Sequence, residues 1–309
     1  MGLPQELLDL AARCSNWGRW GPDDERGTLN FVTPEAVRRG AAAVKRGETF
    51  LLSIPFDESG PQTGRVPGRH NPVHTMLCAG MSYTGDAADF TTSDDNVDMG
   101  TQAATHWDAL AHVGYGDRLY NDVPMSAVTM EHGASRLGID RFGSLVTRGI
   151  LCDVARSKGV EHFEEPYAIT GEDLAACVEH ASLTVESGDV ILVYTGQMHW
   201  LELGDRHRYA DITPGIGTGA IEWLHDSEVA AIATDTHVFE PYPGEDPAAF
   251  FPVHMIDLRD LGLVQGQQWK LDELAADCAR DGVYEFLLAA TPLPITGGVG
   301  GPVAPTATK

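Results

Sequence analysis

An α/β fold is what the sequence predicts, on three observations: short continuous apolar runs rich in β-branched residues, helix-like stretches between them, and no break that would divide two independent cores. Residues 149–154 (GILCDV), 189–194 (DVILVY) and 229–235 (VAAIATD) read as strands. Because their apolar positions are consecutive rather than alternating, the sheet they form must be covered on both faces. Residues 170–181 open with the cap signal Thr170-Gly-Glu-Asp, and residues 218–225 carry Ile221 and Leu224 three apart, so both read as helices. Residues 283–295 add a strand that runs into the turn-rich GGVGGP of residues 297–302. No repeat, heptad pattern or Pro/Gly/Ser linker interrupts this order, which implies one domain over residues 1–309.

Composition narrows the class of partner. With 309 residues and 43% hydrophobic content the chain can bury a sizeable core. Its 45 acidic and 21 basic residues leave a net charge of −24, a field that repels phosphate backbones and argues against nucleic acid. No apolar run approaches the roughly 20 residues of a membrane span, and the start MGLPQELLDLAARC lacks the basic-then-apolar pattern of an export signal. Cys14, Cys78, Cys152, Cys177 and Cys278 are scattered and odd in number, which suits a reduced, cytoplasmic setting and core packing.

The chemistry concentrates in His106-Trp-Asp-Ala-Leu-Ala-His112. If this segment starts extended, its period of two puts His106 and Asp108 on one face, where an imidazole and a carboxylate can converge on one cation. His112 lies six residues on, near enough to return to the same pocket after a turn. The plainer reading is that Asp108 merely orients a core histidine.

Four separated stretches take the reading further: WGPDDERGTLN at residues 20–30, the motif at 106–112, GDVILVYTG at 188–196 and TPLPITGGVGGP at 291–302. Together they resemble the cyclase, or kynurenine formamidase-like, family of metal-dependent hydrolases, whose relatives include isatin hydrolase and trans-dienelactone hydrolase. The opening stretch is similar to the long branch of that family, so residues 1–50 are expected to form an N-terminal extension packed on the domain. The resemblance implies a swivelling β/α fold with a mixed sheet around a metal pocket, and assembly as a homodimer or homotetramer. The family motif is HxxxHxDxPxH. It places His106 and Asp108 on metal-ligand positions, His112 on the proton-transferring histidine and Gln102 on the first ligand. Leu110 stands where the motif has proline. His254 matches a further ligand of some relatives, and Gln267 stands where a glutamate is expected. Two amides in place of stronger donors favour one divalent ion over two, and a hard ion such as Mn over Zn.

The resulting expectation is a metal-dependent hydrolase that opens a small amide, imide or lactone with metal-activated water and with His112 as acid–base group. Two other classes compete. A cyclase or dehydratase acting on a polyketide-like intermediate would not place solvent oxygen in a carboxylic acid. A non-catalytic binding protein on the same scaffold would hold no metal. Other residues have plainer roles beside functional ones. Asp235, His237 and Glu240, in the DTHVFE that ends a predicted strand, either rim the pocket or cap a loop. His70 and His74 lie in a Pro- and Asn-containing loop that suits the surface. Residues 198–209 (MHWLELGDRHRY) read as a lid, a surface loop or a subunit contact. Residues 215–219 (GIGTG) lack the spacing and preceding strand of a dinucleotide loop and read as a helix start.

Overall fold

The computed structural model describes residues 2–309. Counting strands of three residues or more, β1 is Thr49–Leu51, β2 Val73–Ser82, β3 Thr91–Asp98, β4 His106–Asp108, β5 Val146–Asp153, β6 Val190–Tyr194, β7 Ala231–Thr234, β8 Val264–Gln267, β9 Glu285–Ala289, β10 Gly300–Pro302 and β11 Thr306–Thr308. Nine of them form one mixed sheet in the order β1-β11-β9-β5-β6-β7-β8-β4-β10. The run β5-β6-β7-β8 is parallel, and the flanking pairs are antiparallel. The three predicted strands at 149–154, 189–194 and 229–235 are β5, β6 and β7, side by side in the parallel centre, and β9 occupies the start of the fourth.

Their continuous apolar character has the anticipated cause. Along β6, Val190 and Leu192 join one hydrophobic cluster while Ile191 and Val193 join another, and Leu151 and Ile150 of β5 divide in the same way. Alternate side chains thus fill cores on opposite faces of the sheet. Helix α1 spans Gln5–Arg13 and α2 spans Pro34–Ala43, which Thr33 caps by accepting from the Ala36 amide. Helix α3, Gly171–His180, carries the capping box that its sequence announces, Thr170 and Asp173 bonding reciprocally across the first turn. Helix α4 spans Pro252–Ile256 and α5 spans Asp272–Asp281. The cores belong to different helices: Leu174 and Val178 of α3 lie in one, Leu274 and Cys278 of α5 in the other.

Outside this body, β2 and β3 pair only with each other, and nearly every residue in them is exposed. All five cysteines are unbridged. Among the described residues no helix is long and apolar enough to cross a membrane.

Candidate active site

Strand β4 is only three residues long, yet it positions the whole site. It lies between β8 and β10, with His106 opposite Gln267 and Pro302, and Asp108 opposite Gly300. Trp107 points to the core face. There its ring meets Trp269 edge-on at 4.9 Å, and its indole N–H donates to the Ala290 carbonyl at 2.8 Å. Alternation then sends His106 and Asp108 to the opposite face, as the HWD spacing implies. Both are almost completely buried.

The His106 imidazole is fixed by its Nδ1, which donates to the Ala104 carbonyl at 2.7 Å. That leaves the Nε2 lone pair 3.6 Å from Asp108 Oδ1. Burial drives the His106 pKa down to about 4, more than Asp108 can offset, so the ring is neutral near pH 7. His112 Nε2 reaches the same Oδ1 at 3.7 Å. Burial lowers the His112 pKa as well, against the pull of Asp108. For Asp108, burial acts to raise the pKa, but the surrounding imidazoles of His112, His106 and His254 and the Arg69 guanidinium outweigh it and hold the carboxyl below its ordinary value.

The two oxygens of Asp108 are treated differently. Gln267 Nε2 donates to Oδ2 at 2.7 Å, whereas Oδ1 is buried with no hydrogen-bond partner. Orphaned carboxylate oxygens are expensive, and this one faces two imidazole nitrogens slightly too far away for direct hydrogen bonds. Donors that share one ion through bonds of about 2.1 Å stand roughly 3–3.6 Å apart, so the His106–Asp108 pair fits a divalent cation without rearrangement. Further donor atoms lie around the pair. His254 Nδ1 is held by Glu240 Oε1 at 2.6 Å, which turns Nε2 towards the Gln267 amide at 3.4 Å. Gln102 Nε2 lies 3.3 Å from His112 Nδ1, with its Oε1 accepting from the Thr101 hydroxyl at 2.8 Å. Among the described residues, no group of three His, Cys, Asp or Glu side chains is arranged to hold a metal ion. The side chains that could hold an ion are therefore the His106 imidazole and the Asp108 carboxylate, with the Gln102 and Gln267 amides and the His254 imidazole nearby.

The remaining sequence candidates separate cleanly. Glu240 is a positioning residue: besides His254 Nδ1, its carboxylate accepts from the backbone amides of Val253 and His254 at the start of α4. Asp235 is structural, taking the Thr195 hydroxyl and the Thr195 and Gln197 amides and tying the ends of β6 and β7 together. His237 is buried beside the site with neither ring nitrogen partnered. His70 and His74 are exposed and face Asp98 and Asp95. Residues 198–209 form two short helices, Met198–Glu202 and Arg206–Asp211, whose Met198 and Tyr209 pack with Ile54 and Ala104. Residues 215–219 hold a two-residue strand, Gly215–Ile216, and the start of a helical turn. Sequence reasoning missed Arg69, which sits one residue before His70 and acts electrostatically on Asp108, His106, His112 and His237.

A mixed sheet that presents an His-x-Asp pair from a short strand defines a class of α/β proteins with a buried acid–imidazole centre. The model of the family of putative cyclases matches residues 50–241, and the chain belongs to that family. A solved structure described as a novel cyclase is 39% identical, covering 96% of this chain and 99% of its own, with a TM-score of 0.86. Isatin hydrolase A from Labrenzia aggregata, bound to benzyl benzoate, is 19% identical over 86% of this chain and 94% of its own, with a TM-score of 0.63. A predicted metal-dependent hydrolase from Bacillus stearothermophilus is 16% identical over 85% of this chain and 98% of its own, with a TM-score of 0.51. At such identities these two share the fold. No curated protein matches the sequence.

Proposed function

We propose that this protein is a hydrolase that opens a small amide, imide or lactone by attack of water, assisted by one divalent ion. The observation that carries the reading is the unpartnered Oδ1 of Asp108 between the Nε2 atoms of His106 and His112. His106 and Asp108 would hold the ion, with His254 and the Gln267 amide oxygen beside them and Gln102 either joining them through its oxygen or serving His112, a set that favours Mn over Zn. Bound there, the ion would acidify water and polarise the carbonyl under attack.

The chain's own residues supply the proton chemistry. Were the Gln102 amide turned over from the orientation in which its Nε2 faces His112 Nδ1, its oxygen would accept from that nitrogen and the ring would keep its proton there. Nε2, the nitrogen facing Asp108, is then free to take a proton from water and return it to the departing nitrogen or oxygen. The Thr101 hydroxyl serves either amide orientation, because it can donate or accept. Asp108 stabilises the imidazolium while it lasts, and Glu240 keeps His254 in one tautomer.

The test is a chelation and reloading series. Purified protein is screened against lactones, cyclic imides, isatin and N-formylkynurenine in ¹⁸O-labelled water, before and after EDTA. Activity should vanish with the metal, return with Mn²⁺, and place ¹⁸O in a carboxylic acid. Full turnover by the stripped protein would remove the ion from the reaction, and a product without ¹⁸O would replace hydrolysis by cyclisation or dehydration.

A further inference from the structure

Two of the five unbridged cysteines face each other between the sheet and a helix. Ile150 and Cys152 leave one face of β5 towards Leu174, Cys177 and Val178 of α3, and all five belong to one hydrophobic cluster. The Cys152 thiol stops 4.0 Å from the Leu174 carbonyl. A helical side chain leans back over the preceding turn, so the Cys177 sulfur, three residues further along, covers that same carbonyl. The two sulfurs thus meet there, one from the strand and one from the helix, and each thiol is the other's principal polar neighbour. Cys278 lies in the opposite core, and Cys78 in the outlying hairpin.

Access separates the two thiols. Cys152 is fully buried, whereas Cys177 lines a cavity of about 360 Å³ with Arg156, Ser157, His180 and Tyr284. The cavity sits where β5 ends and the helical turn Val154–Ser157 begins. His180 stands there edge-on to Tyr284 at 5.8 Å, and Arg156 is held by Asp153 Oδ2 at 3.3 Å. Their chemistry differs as well. Burial pushes the Cys14 and Cys278 thiols up to about 11. Cys177 instead lies below the ordinary thiol value, because the Cys152 thiol, helped by the Ser157 hydroxyl, outweighs its burial. The thiolate is the reactive form, so the sulfur at the cavity wall is the one prepared to react.

We propose that Cys152 and Cys177 are a redox pair: a small hydroperoxide entering this cavity oxidises Cys177, and Cys152 then closes a disulfide between β5 and α3. In the first step the Cys177 sulfur attacks a peroxide oxygen and the O–O bond breaks. The sulfur becomes a sulfenic acid, and the other oxygen takes the thiol proton and leaves as water, or as an alcohol if the peroxide carries an alkyl group. In the second, the Cys152 sulfur attacks the sulfenic sulfur and the S–O bond breaks. The departing hydroxide takes the Cys152 proton and leaves as water. Two thiols give two electrons to one peroxide, so no further reductant is needed. Neither sulfur belongs to the candidate active site, because β6, β7 and β8 lie between β5 and β4. The pair therefore stands apart from the hydrolase reading.

The experiment is peptide mass mapping of the full chain after treatment with hydrogen peroxide. The peptides that carry Cys152 and Cys177 should be recovered as one cross-linked species, lighter by two hydrogens than its separate parts, and dithiothreitol should release them. Oxidation of Cys177 should run at least about 10-fold faster than that of Cys14 or Cys278. Cys152→Ser should leave Cys177 as a sulfenic acid that dimedone captures. Cys177→Ser should abolish the cross-link and protect Cys152; Cys177→Ala, which brings no new polar group into the core, should do the same. Cys78→Ser, which removes the thiol outside the core, should change none of these outcomes. A Cys177 that stays reduced while Cys14 or Cys278 is oxidised, a Cys177 that is oxidised without joining Cys152, or a Cys152 that is oxidised equally fast in Cys177→Ala would each overturn the proposal.

Discussion

Two buried aspartates in the same sheet have opposite surroundings. Asp189, at the start of β6, accepts at Oδ1 from Arg39 and from Arg148 Nε, and at Oδ2 from Arg148 Nη2 at 2.6 Å and the Glu186 amide at 2.8 Å. Both oxygens are saturated, and two guanidinium groups balance the charge. Asp108, equally buried, has one oxygen on the Gln267 amide and the other on nothing, with neutral imidazoles as its nearest neighbours. A saturated buried ion pair holds elements together, here β5, β6 and α2. An orphaned oxygen alone does not mark a site, since fully buried Asp257 has one oxygen on the Gln265 amide and the other on nothing; what sets Asp108 apart is that its open oxygen faces the Nε2 atoms of His106 and His112.

Substitutions at the two aspartates should therefore separate activity from stability. The largest effect is expected for Asp108→Asn, which removes the charge that both imidazoles face. Turnover should fall about 10³-fold, while the urea midpoint stays near that of the wild type. Asp189→Asn should do the reverse. It leaves two guanidinium groups around an uncharged amide and should cost about 3–5 kcal/mol in urea unfolding, with turnover per folded molecule unchanged. If the two variants lose stability equally, the contrast between them collapses. A smaller and more local change is Gly300→Ala on β10, where an added Cβ would come within 2.6 Å of Gln102 Nε2. It should push Gln102 away from His112 and reduce turnover about 10-fold, with the fold intact. Unaltered kinetics in that variant would mean that Gln102 does not position His112.

Much of this was legible in the chain. The apolar runs that became β5, β6 and β7 and the Thr170 capping box follow from local patterning. So does the HWD alternation, with its tryptophan turned to the core and its imidazole and carboxylate to the site. The turn-rich tail GGVGGP was visible too, but its reason was not: Gly300 is bare because Gln102 fills the space a side chain would take. Asp235 and His237 share a strand-end face in sequence, yet one is a latch between strands and the other an open imidazole. Only the neighbours contributed by residues 195–197 separate them.

Local patterning alone settles which segments are strands, that both faces of their sheet are covered, and that residues 106 and 108 look the same way. These are consequences of spacing along a chain with fixed dihedral preferences. Folding alone brings Gln267 across from His106, carries Glu240 to His254 from fourteen residues away, and leaves His70 and His74 on surface aspartates away from the site. Register, loop closure and burial bring those partners together, and they depend on how the whole core packs. No stretch of a few residues encodes them.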